Sequence, residues 1–170
     1  MHKPHFSSIV NKLPFKGERK ILMKNQGVSD IITGILATHK MHREEYDRIS
    51  DQFNAPTARE VGQKVYDFLA KNTKYRVEPD SRQTLRGPGA ILRIGATDAG
   101  LDCKSYSLFI GGVLDSLNRK GHNIPWAYRF ASYRPFDKTP HHVFVVANPK
   151  TNNEIWLLTN TTIKNHTSIR

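Results

Sequence analysis

The hydrophobic pattern of this chain changes period once, at Pro125, and that change fixes the order of its elements. Before it, apolar residues recur at three- and four-residue steps, as in Val61, Val65, Phe68 and Leu69, or Tyr106, Ile110, Val113, Leu114 and Leu117. After it, Trp126, Tyr128 and Phe130 alternate with Ala127, Arg129 and Ala131. Helices followed by neighbouring strands imply an α+β fold, with helices packed on an antiparallel sheet.

Local signals divide the helical half. Ser29 is the expected N-cap of a first helix carrying Ile31, Ile32, Ile35 and Leu36, and the polar stretch His39–Glu45 is where it bends or breaks. Thr57-Ala58-Arg59-Glu60 matches a capping box, and the helix behind it should end near Lys71-Asn72. Tyr75 to Pro79 reads as extended. Arg86 to Asp102 carries Gly87, Gly89, Gly95 and Gly100, with a short helix predicted from Pro88 to Ile94. Cys103 opens the next helix and Gly121 closes it. Gly111 and Gly112 inside that helix each cost about 1 kcal/mol relative to alanine, which points to tight packing against a sheet. Strands are expected at Trp126–Ala131, His142–Ala147 and Glu154–Thr159, with Asn148–Asn153 as the turn between the last two.

A chain of 170 residues favours one domain with extensions. We expect a basic arm at 1–26, a folded domain at 27–160 and a polar tail at 161–170. The arm is either a solvated terminus or a segment that docks on a partner or an acidic surface. A net charge of +11 raises affinity for polyanions without specifying a fold. The basic residues are scattered and accompany no nucleic-acid motif, so specific nucleic-acid binding is not expected. No apolar run approaches the ~20 residues of a membrane span, and the N-terminus lacks the apolar stretch of a secretion signal. No cofactor is expected. One cysteine builds neither a disulfide nor a Cys-rich zinc site, which leaves Cys103 as a core filler or a reactive thiol.

Position favours the thiol. Cys103 sits where a glycine-rich loop enters an amphipathic helix, and the first turn of a helix offers unpaired amides and the positive end of the macrodipole. Both favour thiolate, and the same amides could hold an oxyanion. Of eight histidines, His2, His5, His39, His42 and His166 fall in the arm, on polar helix surface or in the tail, and His122 follows the C-cap glycine. His141 and His142 open an apolar strand. A histidine there either caps a core edge or faces a cleft, where an imidazole can take the thiol proton.

The succession Gly100-Leu101-Asp102-Cys103-Lys104-Ser105-Tyr106-Ser107-Leu108, Gly121, Tyr128-Arg129, His142-Val143-Phe144-Val145-Val146 and Ile155-Trp156 resembles the transglutaminase-like, papain-like cysteine superfamily. That pattern places a Cys at a helix start, a glycine at the helix end, a strand opening with His, and a strand ending in Trp-x-Asp. The likeness runs from about Thr57 to Trp156 and is strongest to short single-domain members from phages and prophages of Bacteroidota. The stretch Val77 to Thr84 also resembles the segment before the Cys in that group.

The resemblance implies a papain-like fold, Cys103 as nucleophile and His142 as base, since its strand runs His-x-aromatic and Phe144 supplies the aromatic. By the same analogy Gln83 is the candidate for a second oxyanion donor, or else a loop glutamine in water. The chain departs from the pattern where an Asp should orient the imidazole: the Trp-x-Asp spacing points to Leu158, which cannot accept a hydrogen bond. Thr159 or Asn160 could stand in as neutral acceptors, and Asp137 is another candidate. Two readings follow. One is a cysteine hydrolase or acyl-transferase (protease, amidase or transglutaminase) acting on a protein or peptide. The other is a non-catalytic structural or interaction protein that binds an assembly such as a virion through the basic arm. The expected location is the host-cell cytoplasm or a virion.

Overall fold

The helix that begins at Cys103 organises the rest of the molecule. In the computed structural model, which describes residues 3–15, 27–79, 81–132, 140–152, 154–157 and 164–165, it runs as α6 (Cys103–Arg119). Every residue from Lys104 to Leu114 is buried, together with Ser116 and Leu117. Around it pack α2 (Val28–Met41), α3 (Arg43–Asp47), a 3-10 turn at Ser50–Phe53, α4 (Ala58–Asn72) and α5 (Pro88–Gly95). The ring of Phe109 sits among Tyr46, Phe53 and Phe68, with centroids 5.8, 5.9 and 6.2 Å away. Burying each such side chain contributes about 1.5–3 kcal/mol, so this cluster is a large part of the core.

The sheet covers α6 through β1 (Trp126–Ala131) and β2 (His142–Ala147), and continues with β3 (Ile155–Leu157) and β4 (Lys164–Asn165). All neighbours are antiparallel and in sequence order, which confirms the α+β reading. Phe130 pairs with Val143 and Val145 with Leu157. Val143, Val145 and Leu157 join the core, while His142, Phe144 and Trp156 form a row of rings, with centroids 6.0 and 5.1 Å apart along it. Period-two alternation along β2 therefore separates the core-facing valines from the row of rings.

The capping box is present: Thr57 N–H donates to Glu60 Oε2 at 3.0 Å and Glu60 N–H to Thr57 Oγ1 at 3.3 Å. The glycine pair in α6 is also explained. A β-carbon on Gly111 would run into the Tyr128 hydroxyl, and one on Gly112 into the Tyr46 ring. Only Gly111 faces the sheet; Gly112 admits α3.

Three expectations need correction. The described part of the arm, residues 3–15, is not separate from the core, because α1 (Phe6–Val10) buries Ile9 and the turn after it buries Leu13. Two apolar residues four apart on one turn outweighed the basic composition around them. The N-cap of α2 is Gly27 rather than Ser29, with no side-chain cap. The tail is not wholly outside the fold, since Lys164–Asn165 pair with β3.

Candidate active site

Cys103 occupies the first position of α6 because Asp102 caps it. Asp102 Oδ1 accepts from the amides of Lys104 and Ser105 at 3.1 and 3.3 Å, which leaves the Cys103 N–H outside the cap. The approach to the cap is pinned by a short parallel bridge: Leu101 N–H donates to Lys74 O at 2.8 Å and Arg76 N–H to Leu101 O at 2.7 Å. Gly100 makes the turn into it at φ +66°, a left-handed conformation that suits glycine.

The thiol meets the sheet at β2. Cys103 is partly buried and packs against the core at the start of α6. One turn further along α6, Ser107 Oγ donates to Val143 O at 3.0 Å. α6 is thus bonded directly to the second residue of β2. Val143 follows His142, so this face of α6 lies against the strand that carries the imidazole. The His142 ring itself stands with Phe144 and Trp156, on the face of β2 opposite core-facing Val143.

The electrostatics differ from the expectation of a thiolate. Burial pushes the Cys103 thiol above its ordinary value of 9.0; the amides of Val143, Lys104 and Cys103 pull the other way, and the Glu78 carboxylate adds to the rise. Burial, helped by the charge of His141, lowers His142 below its ordinary 6.5. At neutral pH both groups are uncharged. Desolvation outweighs the helix dipole here, because the first turn that supplies the dipole is itself packed against the sheet.

Sequence reading missed the charges beneath this turn. Arg86 Nη2 lies 3.0 Å from Glu78 Oε1, Lys104 Nζ lies 3.6 Å from Glu78 Oε2, and Lys104 also pairs with Asp102. Thr84 donates to Glu78 from both its amide, at 2.7 Å, and its hydroxyl. The four charged side chains are 4–17% exposed. Arg86 Nη1 and Ser105 Oγ are buried without a hydrogen-bond partner. The available signal was Asp102 and Lys104 flanking Cys103 in a helix whose other inward residues are mostly apolar.

Gln83 sits in the same stretch but turns to its own loop, with Nε2 donating to Pro79 O at 2.9 Å and Glu78 O at 3.4 Å. His141 is exposed. Leu158, Thr159, Asn160 and Asp137 lie outside the described residues. A groove of about 440 Å³ runs between Lys3–Pro4 and the α4 face from Glu60 to Asn72, and includes neither Cys103 nor His142. Among the described residues no group of three or more His, Cys, Asp or Glu is arranged to hold a metal ion.

No protein-family model, curated protein or solved structure matches this chain. No helix among the described residues is long and apolar enough to cross a membrane.

Proposed function

We propose that the chain is a papain-like, transglutaminase-like thiol enzyme that acts on amides through an acyl-enzyme at Cys103. The observation that carries the proposal is the place of Cys103 at the first position of α6, the helix whose Ser107 is bonded to Val143, the strand residue that follows His142. The Cys103 sulfur attacks the carbonyl carbon while its proton passes to the neutral imidazole of His142. The Cys103 N–H, which the Asp102 cap leaves aside, supports the oxyanion. The C–N bond then breaks, the amine leaves with the proton from His142, and a thioester remains. Water completes hydrolysis; an amine completes transfer. Because thiol and imidazole are both uncharged, His142 serves as a general base during attack rather than as half of a standing ion pair.

The non-catalytic reading has one observation in its favour. His142 stands in a row with Phe144 and Trp156, the packing of a structural ring, and burial opposes charge on both it and the thiol. Incubation with p-nitrophenyl acetate separates the two readings. The enzyme reading expects an acetyl adduct on Cys103 by peptide mass spectrometry and release of p-nitrophenol, both abolished in Cys103→Ala. His142→Ala should slow acylation about a hundredfold. No adduct on the folded protein favours the scaffold.

A further inference from the structure

We propose that Glu78 is a positioning residue for Cys103, its buried carboxylate holding the residues before α5 against the first turn of α6 and setting the field under which the sulfur works. The inference rests on the reading of Cys103 as nucleophile. Arg86, Lys104 and the amide and hydroxyl of Thr84 all converge on the two oxygens of Glu78. Arg86 keeps a further buried N–H group at Nη1 with no acceptor. The cluster is short of acceptors, so Glu78 stays ionised, and its acidity is accordingly held below the ordinary carboxylate value against the opposing effect of burial.

Geometry ties this charge to the nucleophile. Lys104, the residue after Cys103, bridges Glu78 to the capping Asp102, and Arg76, two residues before Glu78, is hydrogen-bonded to Leu101. The charged and titratable groups on the elements that meet here are Glu78 with Arg86 from the segment before α5, Asp102 and Lys104 from the start of α6, and His142 with its neighbour His141 from β2. Burial is the main reason the proton stays on sulfur, and Glu78 is the carboxylate among them that adds to it. This field suits a mechanism in which His142 removes the proton only during attack, and it limits idle oxidation of the thiolate.

A purely structural carboxylate and a field-setting one make different predictions for two substitutions. Glu78→Gln keeps the shape and removes the charge. Thr84→Val loosens the same carboxylate but leaves its charge in place. The pH dependence of thiolate ultraviolet absorbance in folded protein reads the sulfur directly, whether or not the site turns over. Glu78→Gln should move the ionisation to lower pH and raise iodoacetamide alkylation at pH 8 about tenfold, while Thr84→Val leaves both near wild type. Equal behaviour of the two variants would overturn the proposal. If Glu78→Gln does not fold, Lys104→Gln replaces it with the opposite sign: less compensation of Glu78, and ionisation at higher pH. A shift to lower pH, or none, in that variant would also overturn it. Failure of acylation by p-nitrophenyl acetate would sink the catalytic reading while leaving this result intact.

Discussion

The two ends of α6 carry the same kinds of charge under very different solvation. At the N-terminus Asp102, Lys104, Glu78 and Arg86 form a cluster whose side chains are 4–17% exposed. At the C-terminus Asp115 collects Arg43 Nε at 2.9 Å, with His39 Nε2 and Arg119 Nε at 3.3 Å, and these side chains are 12–43% exposed. The outer cluster staples α2 and α3 to α6 and leaves its charges partly in water, where each pair contributes little. The inner one has removed four charges from solvent, which stabilises a fold poorly unless every partner is in place. A fold needs something like the outer cluster. The inner cluster, under the only cysteine, is the one that calls for a functional explanation.

The comparison can be broken by substitution. Asp102→Ala removes the helix cap and one of the two acids on buried Lys104, and should lower unfolding free energy in urea by about 3–5 kcal/mol. A loss under about 1 kcal/mol would mean that the inner cluster is effectively solvated. Asp115→Ala removes the centre of the outer cluster and should cost about 1–2 kcal/mol, since its partners can turn to water. An equal or larger loss than for Asp102→Ala would erase the distinction between the two ends.

A smaller effect lies in pH. Burial, only partly offset by Asp115, lowers His39 below its ordinary 6.5, and its Nδ1 lies 2.7 Å from the Tyr128 hydroxyl. The unfolded chain then binds more protons than the folded one between the folded value and 6.5, so stability rises with pH through that window and falls as pH drops through it. His39→Gln should flatten the midpoint of thermal unfolding across this window. The lowered acids Asp47, Asp115 and Glu78 act separately: their contribution is present above the ordinary carboxylate range and is lost on further acidification. A midpoint that is equally steep with and without His39 would assign the slope elsewhere.

Much of the fold was legible because it is written in periodicity and caps. The switch at Pro125 located the sheet, Thr57 and Glu60 located α4, and the glycine pair in α6 announced close packing that Tyr46 and Tyr128 supply. Ile9 and Leu13 were missed because a five-residue helix in a basic, proline-interrupted stretch has too little pattern to outweigh composition. At the site, the places of Cys103 at a helix start and His142 at a strand start were legible. Their ionisation was not. The helix dipole can be read from sequence, but the burial that overrides it depends on what packs over the first turn. Glu78 and Arg86 were illegible for the same reason: nothing in their spacing says that they turn inward beneath Lys104.

The central claim is that a neutral thiol at Cys103 is activated by a neutral His142. The pH profile of acylation by p-nitrophenyl acetate tests it most directly. Wild-type protein should show a rate that rises with deprotonation of an imidazole, with its midpoint below 6.5, as burial of His142 requires. His142→Ala should lose that limb and rise only with ionisation of a thiol above 9.0. A wild-type profile that matches His142→Ala, rising only at the thiol, would contradict the account.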